Sequence, residues 1–252
     1  SVYTPSSRLK LVPLGMAHES IFYPAADGTL LHAFHVPPNL SSIGPLPLPV
    51  MGVLVFLGSN ENNSIFWRQI NEWTRKQLEK CPEWRLAFFI PAYRGYGLSE
   101  GSPTEQNLTK DAKLAHDTFY NRLAKTYPNR EIKRIVLGWS LGGAVAIDLA
   151  SKKVNIDGLI LEATFTTMER VVGDLVPLVK RATWLVSQKW NSIGKIHALD
   201  KQVPVLLVYG EFDQFKAHML DLEAKIKSHG NPVRAVMVPG AFHMDCSLYE
   251  AY

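Results

Sequence analysis

The stretch Ile132–Ser151 restricts this chain more than any other. An apolar run, Ile132 to Leu137, ends in Gly138-Trp139-Ser140-Leu141-Gly142-Gly143, and an Ala-rich run reaches Ser151 directly afterwards. The first run reads as a strand and the second as a helix, with only the glycines to turn the chain between them. A passage that short is a sharp turn. Small residues two positions before and after Ser140 let the strand and helix approach closely. The serine backbone is then strained, and its hydroxyl stands clear of the sheet at a helix N-terminus, where the dipole favours negative charge. The backbone N–H of Leu141 points to the same place and is an expected oxyanion donor.

Such a turn needs a sheet around it, and the rest of the chain supplies one. Apolar runs at Ile21–Tyr23, Leu30–Val36, Val50–Leu57, Leu86–Ile90, Ile132–Leu137, Leu159–Leu161, Val203–Tyr209 and Val233–Val238 read as strands. Asp27-Gly28 turns the first into the second. Helical spacing marks Ile65–Glu79, Leu108–Tyr127 (ended by Pro128), Leu141–Ser151 and Phe215–Ser228. This alternation predicts an α/β fold: a mostly parallel eight-stranded sheet with helices on both faces. At 252 residues, 46% of them hydrophobic, the whole of 1–252 is expected to form one domain. Pro37–Pro49 reads as a loop. Residues 164–199 break the rhythm with helical, Val-, Leu- and Trp-rich sequence and no strand. They are expected to form a small lid-like insertion over the site, with Trp184 and Trp190 in the core rather than lining a groove.

Composition narrows the partners. The net charge of +4 is spread along the chain without a block of like charges, so no nucleic-acid partner is expected. A weak attraction to an anionic membrane surface stays open. Cys81 and Cys246 suit reduced thiols better than a disulfide framework or a metal pair. No apolar run reaches 18 residues, and no signal segment is recognisable. The chain begins at Ser1 rather than Met, so an upstream segment is expected, and membrane association, if any, through it. Asn-x-Ser/Thr triplets at Asn39, Asn62 and Asn107 carry little weight. No nucleotide-binding or zinc pattern occurs, and no cofactor or metal is implied.

A serine is a poor nucleophile without a base, and the base needs an orienting carboxylate. On a strand-to-helix turn of this kind the chain order is serine, acid, histidine. Of the four histidines after Ser140, His197 falls in the insertion, His218 inside a helix and His229 at its end, whereas His243 lies in a loop just after the last strand. Asp213 follows the strand ending at Tyr209, and strand C-termini form the functional side of a parallel sheet. Glu211 and Asp245 are its competitors, and Asp245 stands too close to His243 in sequence to orient it from behind. The second oxyanion donor is assigned to the backbone N–H of Ser59, in Leu57-Gly58-Ser59-Asn60, with Asn60 as the alternative.

These residues resemble the α/β-hydrolase superfamily. The run Tyr93-Arg94-Gly95-Tyr96-Gly97-Leu98-Ser99-Glu100-Gly101-Ser102-Pro103, followed by Glu105, is similar to the ABHD-type and bud-emergence-like hydrolases. The resemblance extends from about Ile21 to Tyr252. It implies a serine hydrolase acting on acyl esters or thioesters, with a small-molecule or acyl-chain substrate. Some relatives remove palmitate from protein cysteines, and several are tied to membranes by an N-terminal segment. Arg94 is expected to anchor its loop rather than to act in chemistry. The chain departs from the family pattern at Leu57-Gly58, where His-Gly is usual, and at Gln214-Phe215-Lys216, where an acidic residue and Val-Pro are usual. It stops nine residues after His243, so a final helix is expected to be short or trimmed. A peptidase, an acyltransferase, or a binding protein with a vestigial triad are the rival readings.

Overall fold

The protein is described from a computed structural model, which covers residues 17–38, 48–58, 70, 72, 83–175 and 187–246. Eight strands form one sheet: β1 (Glu19–Pro24), β2 (Leu30–Val36), β3 (Val50–Phe56), β4 (Arg85–Pro91), β5 (Ile132–Trp139), β6 (Gly158–Glu162), β7 (Val205–Gly210) and β8 (Val233–Val238). Their spatial order is β1-β2-β4-β3-β5-β6-β7-β8. The β1–β2 and β2–β4 pairs are antiparallel and all later pairs are parallel. The chain thus steps from β3 outward to β4, then returns past β3 to β5. Reversals of this kind open a crevice at the strand C-termini, where ligands bind in open α/β sheets. Leu57-Gly58 leaves β3 at that crevice and Ser140 leaves β5 there.

The longer described helices and one short one are α1 (Glu105–Thr126), α2 (Leu141–Ser151), α3 (Met168–Leu175), α4 (Ser192–Lys195, continued by a 3-10 turn over Ile196–Ala198) and α5 (Lys216–His229). α1 starts three residues before the apolar spacing does, because Thr104 caps it: the Thr104 hydroxyl accepts the Asn107 N–H at 3.1 Å. α5 stops where Gly230 takes the left-handed conformation, at φ 102°. α2 is buried over Leu141–Ala150, which explains its lack of a polar face. It lies in the main core with Phe119 and Leu123 of α1, Met219 and Leu222 of α5, and Leu54, Val136 and Leu207 of the sheet. On the opposite face Val53, Val55, Phe88 and Leu137 pack with Ile70, which lies in a helical turn. The rest of the expected helix Ile65–Glu79, apart from Glu72, lies outside the described residues, as do Cys81 and 39–47 of the Pro-rich loop.

The described parts of 164–199 are built into the domain. Trp190, Ile196 and Leu199 enter the main core, as expected for Trp190. The Glu105 carboxylate, at the start of α1, accepts the N–H groups of Lys189 (2.7 Å) and Trp190 (3.0 Å). Trp184 lies outside the described residues. Arg94 behaves as the anchor expected. Its guanidinium makes a two-pronged contact with Asp111 of α1 (2.6 and 2.8 Å) and reaches Asp27 and Thr29 in the β1–β2 turn. These bonds hold the Asp27 carboxyl well below the usual range and raise the guanidinium. The run Tyr93–Pro103 is thereby clamped between the antiparallel hairpin and α1.

Candidate active site

The turn at Ser140 is as tight as its glycines imply. Ser140 has φ 54° and ψ −118°, a strained backbone for a residue with a side chain. A Cβ on Gly142 would lie 1.9 Å from the Phe56 carbonyl oxygen, and one on Gly138 2.3 Å from that of Gly142. Larger residues would therefore push the strand and helix apart. The Ser140 N–H donates to the Glu162 carbonyl at 2.9 Å, and its own carbonyl accepts the Thr164 hydroxyl at 2.7 Å. Both partners sit at the end of β6. Leu141 begins α2, so its N–H has no partner within the helix.

Asp213 and His243 arrive from the ends of β7 and β8. His243 Nε2 lies 3.2 Å from Ser140 Oγ, and its Nδ1 lies 3.0 Å from Asp213 Oδ1. The Asp213 side chain is fully shielded from water and also accepts the Phe215 N–H at 2.7 Å. A carboxylate so placed keeps the ring proton on Nδ1, leaving Nε2 free to accept from the serine. The competing acids serve the loops instead. Glu211 accepts the Gly240 N–H at 3.0 Å and Asp245 the Phe242 N–H at 2.6 Å. The other three candidate histidines are bonded elsewhere: His197 to Gly194, His218 to Thr166 and His229 to Leu199.

The sequence did not mark three contacts. Thr164 holds the Ser140 carbonyl, the Phe215 ring meets the His243 ring edge-on at 4.8 Å, and the Trp139 indole N–H faces the His243 carbonyl at 3.4 Å. Thr164 and Phe215 both follow strand C-termini on the functional side, which is the one signal they carry. Cys246 is a buried free thiol whose titration burial pushes up, in line with a reduced cysteine. Ser59 and Asn60 lie outside the described residues. Gly58, just before them, is not in the left-handed region. Its role is closeness, since a Cβ there would stand 3.3 Å from the Trp139 ring and 3.4 Å from Ser140 Cβ.

Comparison with known proteins agrees with this architecture. A family model described as serine aminopeptidase, S33, matches residues 83–198, which include Tyr93–Pro103 and the Ser140 turn. The Arabidopsis thaliana α/β-hydrolase domain-containing protein WAV2 is 31% identical over 248 residues, covering 92% of this chain and 74% of that protein. YNL320W of Saccharomyces cerevisiae, described as an uncharacterized membrane protein, is 38% identical over 170 residues. That match covers 66% of this chain but only 58% of the yeast protein. An esterase from Pyrococcus furiosus superposes with a TM-score of 0.71 at 15% identity, covering 97% of this chain and 91% of the esterase, and shares the fold. Sheet, crevice and turn together define a hydrolase of the α/β type. The chain belongs to the α/β-hydrolase family, in its ABHD-type, bud-emergence-like branch.

Proposed function

We propose that this chain hydrolyses acyl esters or thioesters through an acyl-enzyme on Ser140. The reading rests on one observation, the line of hydrogen bonds from Ser140 Oγ through His243 to the shielded Asp213. As Oγ attacks the carbonyl carbon, Nε2 takes its proton. Asp213 holds the ring and offsets the imidazolium charge. The N–H groups of Leu141 and Ser59 receive the oxyanion, each such donor being worth about 3 kcal/mol in the barrier. Collapse breaks the C–O or C–S bond, and the proton on Nε2 passes to the leaving group. Water then repeats the sequence on the acyl-enzyme, giving its proton to Nε2, and Ser140 is restored. No step calls for a cofactor.

The substrate is taken to be a small molecule or an acyl chain. The positive net charge and the membrane description of YNL320W favour a site of action near lipid. No helix among the described residues is long and apolar enough to cross a membrane. The variant Ser140→Ala is expected to remain folded, to lose turnover of p-nitrophenyl esters and to escape labelling by a fluorophosphonate probe. Undiminished hydrolysis by that variant would overturn the assignment. An unreactive wild-type serine would favour a binding protein on this fold. An ester series of rising acyl length then defines the preferred chain. The serine aminopeptidase family match supports a second reading, cleavage of amino-terminal amides on the same residues. Faster turnover of aminoacyl p-nitroanilides than of esters would select it.

A further inference from the structure

Tyr93 leaves β4 at the crevice end of the sheet and reaches across to β3, the parallel neighbour of β4. Its hydroxyl donates to the Leu57 carbonyl oxygen at 2.7 Å. Tyr93 is buried and its ring packs edge-on against Tyr96, so the hydroxyl is held in place. Leu57 is buried too, and the end of β3 is pressed against α2, where the Leu57 oxygen stands 2.8 Å from the position of a Gly142 Cβ.

The peptide that Tyr93 holds is the one joining Leu57 to Gly58. A peptide is planar and its N–H points opposite to its C=O, so fixing one fixes the other. The next residue is glycine, the loosest joint a chain can have. Gly58 also lies against Trp139 and Ser140, so a rotation there moves backbone beside the reactive hydroxyl. A glycine at that point needs a pin from outside its own strand, and among the described residues the Tyr93 hydroxyl bonds the carbonyl just before it.

We infer that Tyr93 is a positioning residue for the peptide that precedes the proposed oxyanion donor: its hydroxyl pins the Leu57 carbonyl and thereby holds Gly58 in place against Trp139 and Ser140. This deepens the reading of Ser140 as nucleophile and rests on it. The action of Tyr93 is exerted through the Leu57 carbonyl.

The test is steady-state hydrolysis of a p-nitrophenyl ester by wild type and Tyr93→Phe, with melting temperatures and pH–rate profiles for both. Removing an oxyanion donor costs about 10²–10³-fold, and a loosened one costs less. Tyr93→Phe is therefore expected to lower kcat about 10- to 100-fold, with KM changed less than about twofold and the shape of the pH profile kept. Tyr93→4-aminophenylalanine, which restores an N–H donor at the ring tip, is expected to recover most of kcat. If Tyr93→Phe does not fold, Tyr93→4-methylphenylalanine takes its place, with the ring tip filled and no donor. An unchanged kcat in a folded non-donor variant overturns the inference. So does a fall in kcat that the 4-amino side chain does not reverse. A wild type without turnover and without fluorophosphonate labelling overturns the nucleophile reading first, and this inference with it.

Discussion

Ser140 keeps its strained backbone through bonds that arrive from the end of a neighbouring strand, beside the one its carbonyl accepts from Gly143 of its own helix. The N–H is tied to Glu162 and the carbonyl to the Thr164 hydroxyl, both at the end of β6. Strain of this size costs on the order of 1–3 kcal/mol and persists only where its surroundings impose it. Thr164→Val keeps the shape and removes the donor. Its loss should cost about 1 kcal/mol of stability and, by letting the turn relax, lower kcat roughly fivefold with KM unchanged. An unaltered kcat in a destabilised variant would mean that Thr164 supports the fold alone. Ser140, Asp213 and His243 were legible because each follows an apolar run, in the order that places them on one side of a parallel sheet. Thr164 and Tyr93 were not legible. Each makes a hydrogen bond to a backbone carbonyl just past the end of another strand, and no residue type or spacing marks such a bond in advance.

At the scale of elements, β2, α2 and β8 matched their expected bounds because apolar runs and glycines coincide with their ends. β7 begins at Val205 rather than Val203, since Pro204 offers no N–H and the Asn231 side chain takes up the Val203 carbonyl. α3 and α5 are joined through ionisable groups that make the fold sensitive to acid. His218 of α5 is buried, with Nδ1 accepting the Thr166 N–H at 3.2 Å and Nε2 3.3 Å from Asp174 of α3. A proton on Nδ1 would oppose that N–H. Arg170 of α3, paired with Asp174 and with Asp221 of α5, adds a positive charge nearby. Burial first, then Arg170, lowers the His218 pKa below its ordinary 6.5, and burial lowers His32 and His35 on β2 as well. The unfolded chain then takes up protons that the folded chain resists. The stability these rings lend is complete above pH 6.5 and is lost as the pH falls below it. Melting temperatures recorded from about pH 7 down to about pH 5 should fall, and His218→Asn should flatten the decline. A flat curve for the wild type would rule this account out.

For the molecule as a whole, the least legible property was which strands touch. The sequence shows eight strands in chain order, but the placing of β4 outside β3 and of β5 on its other side depends on pairings between distant residues. The α/β class followed from alternation, whereas the crossing that creates the crevice is set by those pairings and was not legible. That arrangement hangs Ser140 from β5, which is flanked by β3 and β6, and His243 from β8, which among the described residues pairs only with β7. Border strands open at lower free energy than interior ones. Warming should therefore carry His243 away from Ser140 before the interior of the sheet gives way. Ester hydrolysis is expected to fade a few degrees below the melt seen by circular dichroism, and to return on prompt cooling. Coincident losses would show that the border does not open separately. The proposed nucleophile is in this sense wired through a fuse at the rim of the sheet, and heat is expected to silence it reversibly while most of the architecture still stands.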